Sequence, residues 1–395
     1  MEQLIKQGDV LSLPKGWEIK KLGDVCDKAS SNISQNQLDN EDGEYPIFGA
    51  SGLIKNVSFY HQKKPYLSIV KDGSGVGRVT KMDAFTSVIG TLQYILPKEN
   101  VDLNYLYYNL ISVDFKKYIA GAAIPHIYFK DYKNEPFLWM PFPEQQRIVS
   151  LLDQTFAALA NAKENAQRNL QNAKELFESY LQGVFEKNGK HCKEVKLSEI
   201  AIDITDGDHM PPPKTKAGIP FITISNINKE SLQIDFSDTF NVSKEYYQNI
   251  KPNRKPKNGD ILYTVTGSYG IPVLVETEME FCFQRHIGLI RPKESVISKW
   301  LFYWILSPQA LFQANDTATG TAQKTVSLTA LRNFNVPKMT LSEQQTIVAN
   351  LDALSAETKR LEAIYQQKLL NLEELKKTVL QKAFSGQLSE SGFSG

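Results

Sequence analysis

The chain has 395 residues, enough for two or three domains with ordinary cores. Its 45 Lys and Arg stand against 44 Asp and Glu, so no global basic field announces nucleic acid, and any such surface must be local. Cys26, Cys192 and Cys282 lack a CxxC spacing, which argues against a disulfide framework and a structural zinc site, and no apolar run approaches the roughly 20 residues of a bilayer span.

Met1 to Ser12 carries Lys6, Gln7 and Asp9 and has no apolar h-region, so it does not read as a signal peptide; a reducing, cytoplasmic setting is expected. A first unit opens at Leu13-Pro14-Lys15-Gly16-Trp17-Glu18-Ile19-Lys20. Tyr66–Val70 reads as a half-buried strand and runs into a glycine turn, Asp72-Gly73-Ser74-Gly75-Val76-Gly77. An aromatic helix follows at Leu103–Tyr108, leading toward Gly121. Pro141 and Pro143 punctuate the entry to a long helix over Glu144–Phe185. The pattern then restarts at Glu194-Val195-Lys196-Leu197. A half-buried strand is expected at Asp260–Val265, then a glycine turn at Thr266-Gly267-Ser268-Tyr269-Gly270 and an aromatic helix at Lys299–Trp304, leading toward Gly320. Pro337 precedes a second long helix over Glu343–Phe384, with Ser342 as its expected N-cap.

These two passages are one repeat. Glu144-Gln145-Gln146-Arg147-Ile148-Val149 matches Glu343-Gln344-Gln345-Thr346-Ile347-Val348, and the same offset carries Asp153 onto Asp352, Leu181-Gln182 onto Leu380-Gln381 and Phe185 onto Phe384. A period this long means two copies of a whole unit, not a solenoid. The long helices match well and the stretches before them poorly, which suggests one scaffold carrying two different readers. Each helix is expected to be about 60 Å long. Apolar residues recur at three- and four-residue spacing in both, Leu176, Tyr180 and Leu375 among them. The first seam is rich in alanine where the second has leucine and tyrosine, and small against large suits packing of one on the other. An antiparallel register then sets Leu152 against Val379, Ala166 against Tyr365, and Val184, near the far end from Ile148, against Ile347. A self-pairing homodimer seam is the competing arrangement.

The Leu-Pro-Lys-Gly-Trp-Glu opening, the Pro-Phe-Pro-Glu-Gln-Gln-Arg-Ile-Val entry and the Leu380–Leu388 close together resemble specificity subunits of type I restriction–modification systems. The resemblance covers nearly the whole chain. The second copy lacks the Leu-Pro-x-Gly-Trp preamble, and the first ends Gly183-Val184-Phe185-Glu186-Lys187 where the second has Ser385-Gly386-Gln387-Leu388. The family implies an α+β fold: two pseudo-symmetric α/β target-recognition domains separated by two long helices forming an antiparallel intramolecular coiled coil. On this sequence that places recognition domains at 1–143 and 188–342, and spacer helices at 144–187 and 343–395, the last with a C-terminal tail. The family also implies a non-enzymatic subunit that needs no cofactor. It would recognise an asymmetric, bipartite double-stranded DNA target, one half per domain, with the helices fixing the gap. It would recruit two methyltransferase subunits and two restriction–translocase subunits.

The residues permit this. No Asn/Asp-Pro-Pro-aromatic methyltransferase loop is present, since Pro211-Pro212-Pro213 follows Met210, and no phosphate loop of the GxxxxGK[ST] type occurs. Glu194-Val195-Lys196 looks like a nuclease pair but matches Glu18-Ile19-Lys20, so a structural strand is expected. His191-Cys192 and Asp206-Gly207-Asp208-His209 lack a second ligand pair at metal spacing, and a turn or polar contact is expected there. Local basic clusters supply DNA candidates. Residues 55–81 hold Lys55, Lys63, Lys64, Lys71, Arg78 and Lys81; residues 244–257 hold Lys244, Lys251, Arg254, Lys255 and Lys257. Beside the glycine turns, where backbone can approach a phosphate, Ser74, Ser268, Tyr269, Gln284 and Arg285 join them as expected DNA-facing residues. A solvated basic edge is the alternative for each. Tyr105, Tyr107, Tyr108, Trp300, Phe302, Tyr303 and Trp304 fall at core spacing and are expected to be core. A peptide-binding scaffold on a helical spacer is the competing function; a fused nuclease would need a catalytic constellation that the sequence does not offer.

Overall fold

In the computed structural model, residues 13–121, 123–189, 192–210, 212–321 and 323–385 are described. The leader reading at 1–12, His191, Pro211 and Gly386–Leu388 of the closing motif lie outside them. The chain divides into two units: residues up to Gln167 with those from Gln367 on, and Arg168–Gln366.

In unit 1, β1 (Glu18–Lys21) pairs antiparallel with β9 (Pro136–Trp139). A four-stranded antiparallel sheet has the order β2 (Cys26–Ser30), β8 (Leu92–Pro97), β5 (Tyr66–Val70), β6 (Val79–Met82). A second sheet orders β4 (Gly52–Val57), β3 (Tyr45–Gly49), β7 (Ser87–Val88), with β3 and β7 parallel. Unit 2 repeats this on other residues. Here β10 (Glu194–Lys196) pairs with β20 (Asn335–Pro337), which makes the nuclease-like triplet a sheet strand. The four-stranded sheet is β11 (Ala201–Asp206), β19 (Ile287–Pro292), β16 (Ile261–Thr264), β17 (Pro272–Leu274). The three-stranded one is β15 (Phe240–Val242), β12 (Ile219–Ile222), β18 (Cys282–Phe283), again with one parallel pair, and β13 (Ile227–Asn228) pairs antiparallel with β14 (Gln233–Ile234).

The expected half-buried strands are wholly buried: every residue of β5 and β16 is inside. The reason is cover on both faces. Leu67 and Ile69 point into a core with the aromatic helix α1 (Leu103–Ser112), while Tyr66 and Val70 point into a second core under the small sheet. In unit 2, Ile261 and Tyr263 face the core of helix α3 (Ser298–Leu306), and Leu262 faces the other. A strand covered on both faces reads as an apolar run rather than an alternation.

The long helices are α2 (Phe142–Gly189) and α5 (Leu341–Phe384), 48 and 44 residues, or about 72 and 66 Å. Both start earlier than expected. Thr340, not Ser342, closes the second start: its N–H and hydroxyl donate to Glu343 at 2.7 and 2.8 Å, and Glu343 N–H returns to its hydroxyl at 3.4 Å, a capping box. The repeated Glu-Gln-Gln has a physical cause. Gln145 is fully buried; its amide oxygen accepts from Asp102 N–H at 2.8 Å and its NH2 donates to Asn100 and Met140 carbonyls at 3.0 and 2.8 Å. Gln344 does the same with Ile297 N–H and the Ser295 and Met339 carbonyls. One amide thus ties the loop before each aromatic helix to the first turn of each long helix.

Within unit 1 the segments of α2 and α5 run antiparallel: Lys376 lies over the Phe156 ring, and Lys163 bonds Glu373 at 2.7 Å. Ile148 and Leu152 share a core with Leu380, Ala383 and Phe384, with Val379 packed against it. In unit 2, Val184 packs on a core holding Leu181, Phe185, Ile347 and Leu351. Ala166 is buried in unit 1 and Tyr365 half-buried in unit 2. Leu176, Tyr180 and Leu375, read as seam residues, are exposed. Two paired helices cover only a narrow stripe on each other, so an apolar residue just off it stays in water.

Candidate nucleic-acid interface

The end of β5 in unit 1 carries the glycine turn, and a second segment braces it. Gly73 N–H donates to Pro125 O at 2.9 Å, Ile127 N–H to Lys71 O at 2.9 Å, and Asp72 bridges His126. Gly73, Gly75 and Gly77 all take positive φ, near +88°, which other residues adopt only with strain. A side chain at Gly77 would also strike the Phe115 ring. Unit 2 builds the same pair: Gly267 N–H donates to Lys324 O at 3.0 Å, Val326 N–H to Val265 O at 2.9 Å, and Thr266 bridges Thr325. Each unit therefore presents a turn and a loop side by side.

The Asp206-Gly207-Asp208-His209 run ends β11 against β18. Gly207 is obligatory, since a Cβ there would sit 1.9 Å from Phe283 O. Asp208 N–H donates to Phe283 O at 2.9 Å and Asp208 O accepts from Arg285 N–H at 3.0 Å. Its carboxylate accepts from Tyr246 Oη at 2.5 Å; burial, then this carboxylate, push the Tyr246 phenol up. Asp206 accepts from His209 Nε2 at 2.9 Å and Arg254 Nη2 at 3.0 Å. The run is a clasp that fixes the backbone of Gln284-Arg285. Beside it opens a cavity of about 430 Å³ lined by Asp206, His209, Arg285, His286, Gln323 and Thr325.

The type I restriction modification DNA specificity domain model matches this chain twice, over residues 14–168 and 189–371. The chain belongs to that family. It is similar to the specificity subunit of the type I restriction enzyme MjaVIII of Methanocaldococcus jannaschii, 23% identical over 98% of this chain and 96% of that protein. Its fold is similar to a structure solved for complex assembly and conformational transition of the type I R-M system, with TM-score 0.72, 18% identity, 94% of this chain and 98% of that one covered. It is also similar to the HsdS subunit from Thermoanaerobacter tengcongensis, with TM-score 0.62, 18% identity, 95% and 98% covered. A specificity subunit is the non-catalytic component of a restriction–modification system; its general task is recognising a DNA target, working with methylase and restriction subunits.

In this specificity subunit the basic candidates separate into groups. Lys71 and Ser74 lie at the turn, with Lys71 3.6 Å from Asp72. Arg78 is exposed, but its guanidinium donates to Ala50 O and lies against Gly75. Lys63 and Lys64 are exposed on the loop before β5. Lys81 turns to α1 instead, bonding Asn104 at 3.0 Å over the Tyr107 ring. In unit 2, Arg285 is exposed at the cavity and Gln284 half-buried beside it. Arg254 is held by Asp206, Lys255 lies over the Tyr247 ring, and Lys257 is exposed. Ser268 is exposed on the turn, whereas Tyr269 packs toward helix α4 (Pro308–Thr317), donating to Asn315 at 2.8 Å. The sequence patterns did not single out the bracing loops, His126 or Gln323. The only signal was that the repeat offset already holds at Gly121 and Gly320.

The aromatic helices are core. Tyr105, Tyr108, Trp300, Tyr303 and Trp304 are buried. Tyr108 donates to Asp153 and Tyr303 to Asp352, the latter at 2.6 Å, so the aspartates matched in the repeat hold equivalent tyrosines. Burial, then the carboxylate, raises both phenols above their ordinary range.

Proposed function

We propose that this chain recognises an asymmetric, bipartite DNA sequence, one half-site per unit. The recognition domains are 1–143 and 188–342, and the helices at 144–187 and 343–395 set the gap between half-sites. The observation that carries this reading is the same turn-and-loop pair built twice on different residues: one presentation, two chemistries. Lys71 and Ser74 stand at the turn in one unit and Ser268, Gln284 and Arg285 beside it in the other, with Lys63, Lys64 and Lys257 exposed ahead of the strands that carry the turns; together they supply charge for phosphates and donors for base edges. The partners are two methyltransferase subunits and the restriction–translocase subunits, in the cytoplasm.

The test is the methylated motif of a cell carrying this chain and its methyltransferase partner. A bipartite motif is expected. Exchanging residues 13–143 for the matching domain of another family member should change one half only. Inserting one heptad in each helix lengthens each by about 10.5 Å, about 3 base pairs, and should widen the gap while both half-site sequences persist. DNA binding without a steep salt dependence, or an exchange that alters both halves, refutes the reading; the first result is what a peptide scaffold would give.

A further inference from the structure

Each glycine turn is braced by a loop whose ends are paired in the same way. Ala120 and His126 exchange backbone hydrogen bonds at 2.9 Å each; Thr319 and Thr325 do so at 3.0 and 2.8 Å. Gly121 and Gly320 follow at φ +87° and +108°, and a Cβ at either would lie 2.4 Å from the carbonyl oxygen of Ile124 or Gln323. The glycines and the paired ends fix the backbone. The side chains between them differ from copy to copy: three residues past each glycine an isoleucine stands against a primary amide, followed by Pro125 against Lys324 and His126 against Thr325.

Neither residue supports the fold. Ile124 is 64% exposed, and its neighbours Ile119 and Tyr128 are exposed too. Gln323 is exposed and its amide makes no side-chain hydrogen bond among the described residues. Its amide nitrogen lies 3.0 Å from where a Cβ of Gly267 would be, so the absence of that side chain lets Gln323 lie across the turn. It stands at the cavity with Arg285 and His209. An element that only gripped phosphate would carry a cation or bare backbone at both positions, since phosphates are the same in both half-sites. Equally paired ends with unlike side chains between them are what two unlike base edges require. A glutamine amide matches adenine N6 and N7 as a bidentate pair, and an aliphatic side chain matches the C5-methyl of thymine.

We propose that Ile124 and Gln323 are equivalent specificity positions: Gln323 reads an adenine in the half-site of unit 2, and Ile124 packs on a thymine methyl in the half-site of unit 1. This rests on the bipartite reading above. The experiment expresses the full chain with its methyltransferase partner and determines the methylated motif and relative methylation of single-base variants of each site. Gln323→Ala should lower discrimination for adenine at one position of one half-site by about 5- to 150-fold. Gln323→Glu should shift that position toward cytosine, whose N4 amine a carboxylate accepts. Ile124→Gln should exchange thymine for adenine preference in the other half. Both sites are exposed, and an unchanged thermal midpoint checks folding. A wild-type bipartite motif that all three variants leave unmoved, or a loss equal for all sequences, overturns this inference alone. A wild-type chain without a bipartite motif overturns the reading beneath it.

Discussion

Gln145→Ala should cost this protein far more than an ordinary glutamine on a helix start. The side chain is fully buried and makes three hydrogen bonds, to Asp102 N–H and the Asn100 and Met140 carbonyls. At about 0.5–1.5 kcal/mol net each, their loss amounts to about 3 kcal/mol, and more where water cannot reach the orphaned groups. For a unit of this size each kcal/mol lowers the midpoint by about 2–4 °C, so a fall of about 6–12 °C is expected. Gln145→Glu keeps the shape but cannot donate to two carbonyls, and it brings a charge into a buried site, so it should do no better. The controls are Gln146→Ala and Gln345→Ala; both residues are exposed, and the change should stay within about 0.5 kcal/mol. Gln344→Ala should behave like Gln145→Ala, because its bonds are the same. The assay is urea unfolding of the full chain, with melting as a second measure. If Gln145→Ala and Gln146→Ala cost the same, the amide is not the tie described here and the Glu-Gln-Gln repeat needs another cause.

Three further outcomes can be checked directly. Arg291 donates to both carboxylate oxygens of Asp260, at 2.9 and 2.7 Å, and this bond raises the guanidinium above its ordinary pKa. Arg291→Ala strands a buried carboxylate, so unfolding should show a loss of about 3–5 kcal/mol, partly recovered by adding Asp260→Asn. Gly207→Ala drives a Cβ into Phe283 O, so it should destabilise by about 1–3 kcal/mol and relax base preference in one half-site, as the methylated motif would report. Burial pushes the thiols of Cys26 and Cys282 up to about 12, so iodoacetamide at pH 8 should label Cys192 in the native chain and all three in urea, by mass spectrometry.

The repeat, the two long helices and the family are legible in the amino-acid sequence, because helix periodicity and cap residues are local and a long unbroken offset can hardly arise by chance. The sequence also placed the aromatic helices and the central strands within a few residues. It did not decide how deeply β5 and β16 lie, since cover on a second face comes from a sheet built elsewhere in the chain. It read Leu176, Tyr180 and Leu375 as seam residues, because periodicity marks apolar positions without saying how wide a stripe the partner covers. The candidate interface shows the same limit most clearly. Charge and glycine marked the turns at 72–77 and 266–270, but whether a side chain there is free is settled by contacts distant in sequence. Arg254 meets Asp206, Lys81 meets Asn104, and Tyr269 meets Asn315. The clasp from Asp206 to Arg285 and the seat of Gln323 over Gly267 join residues about 50 to 80 apart, and only the folded chain brings them together.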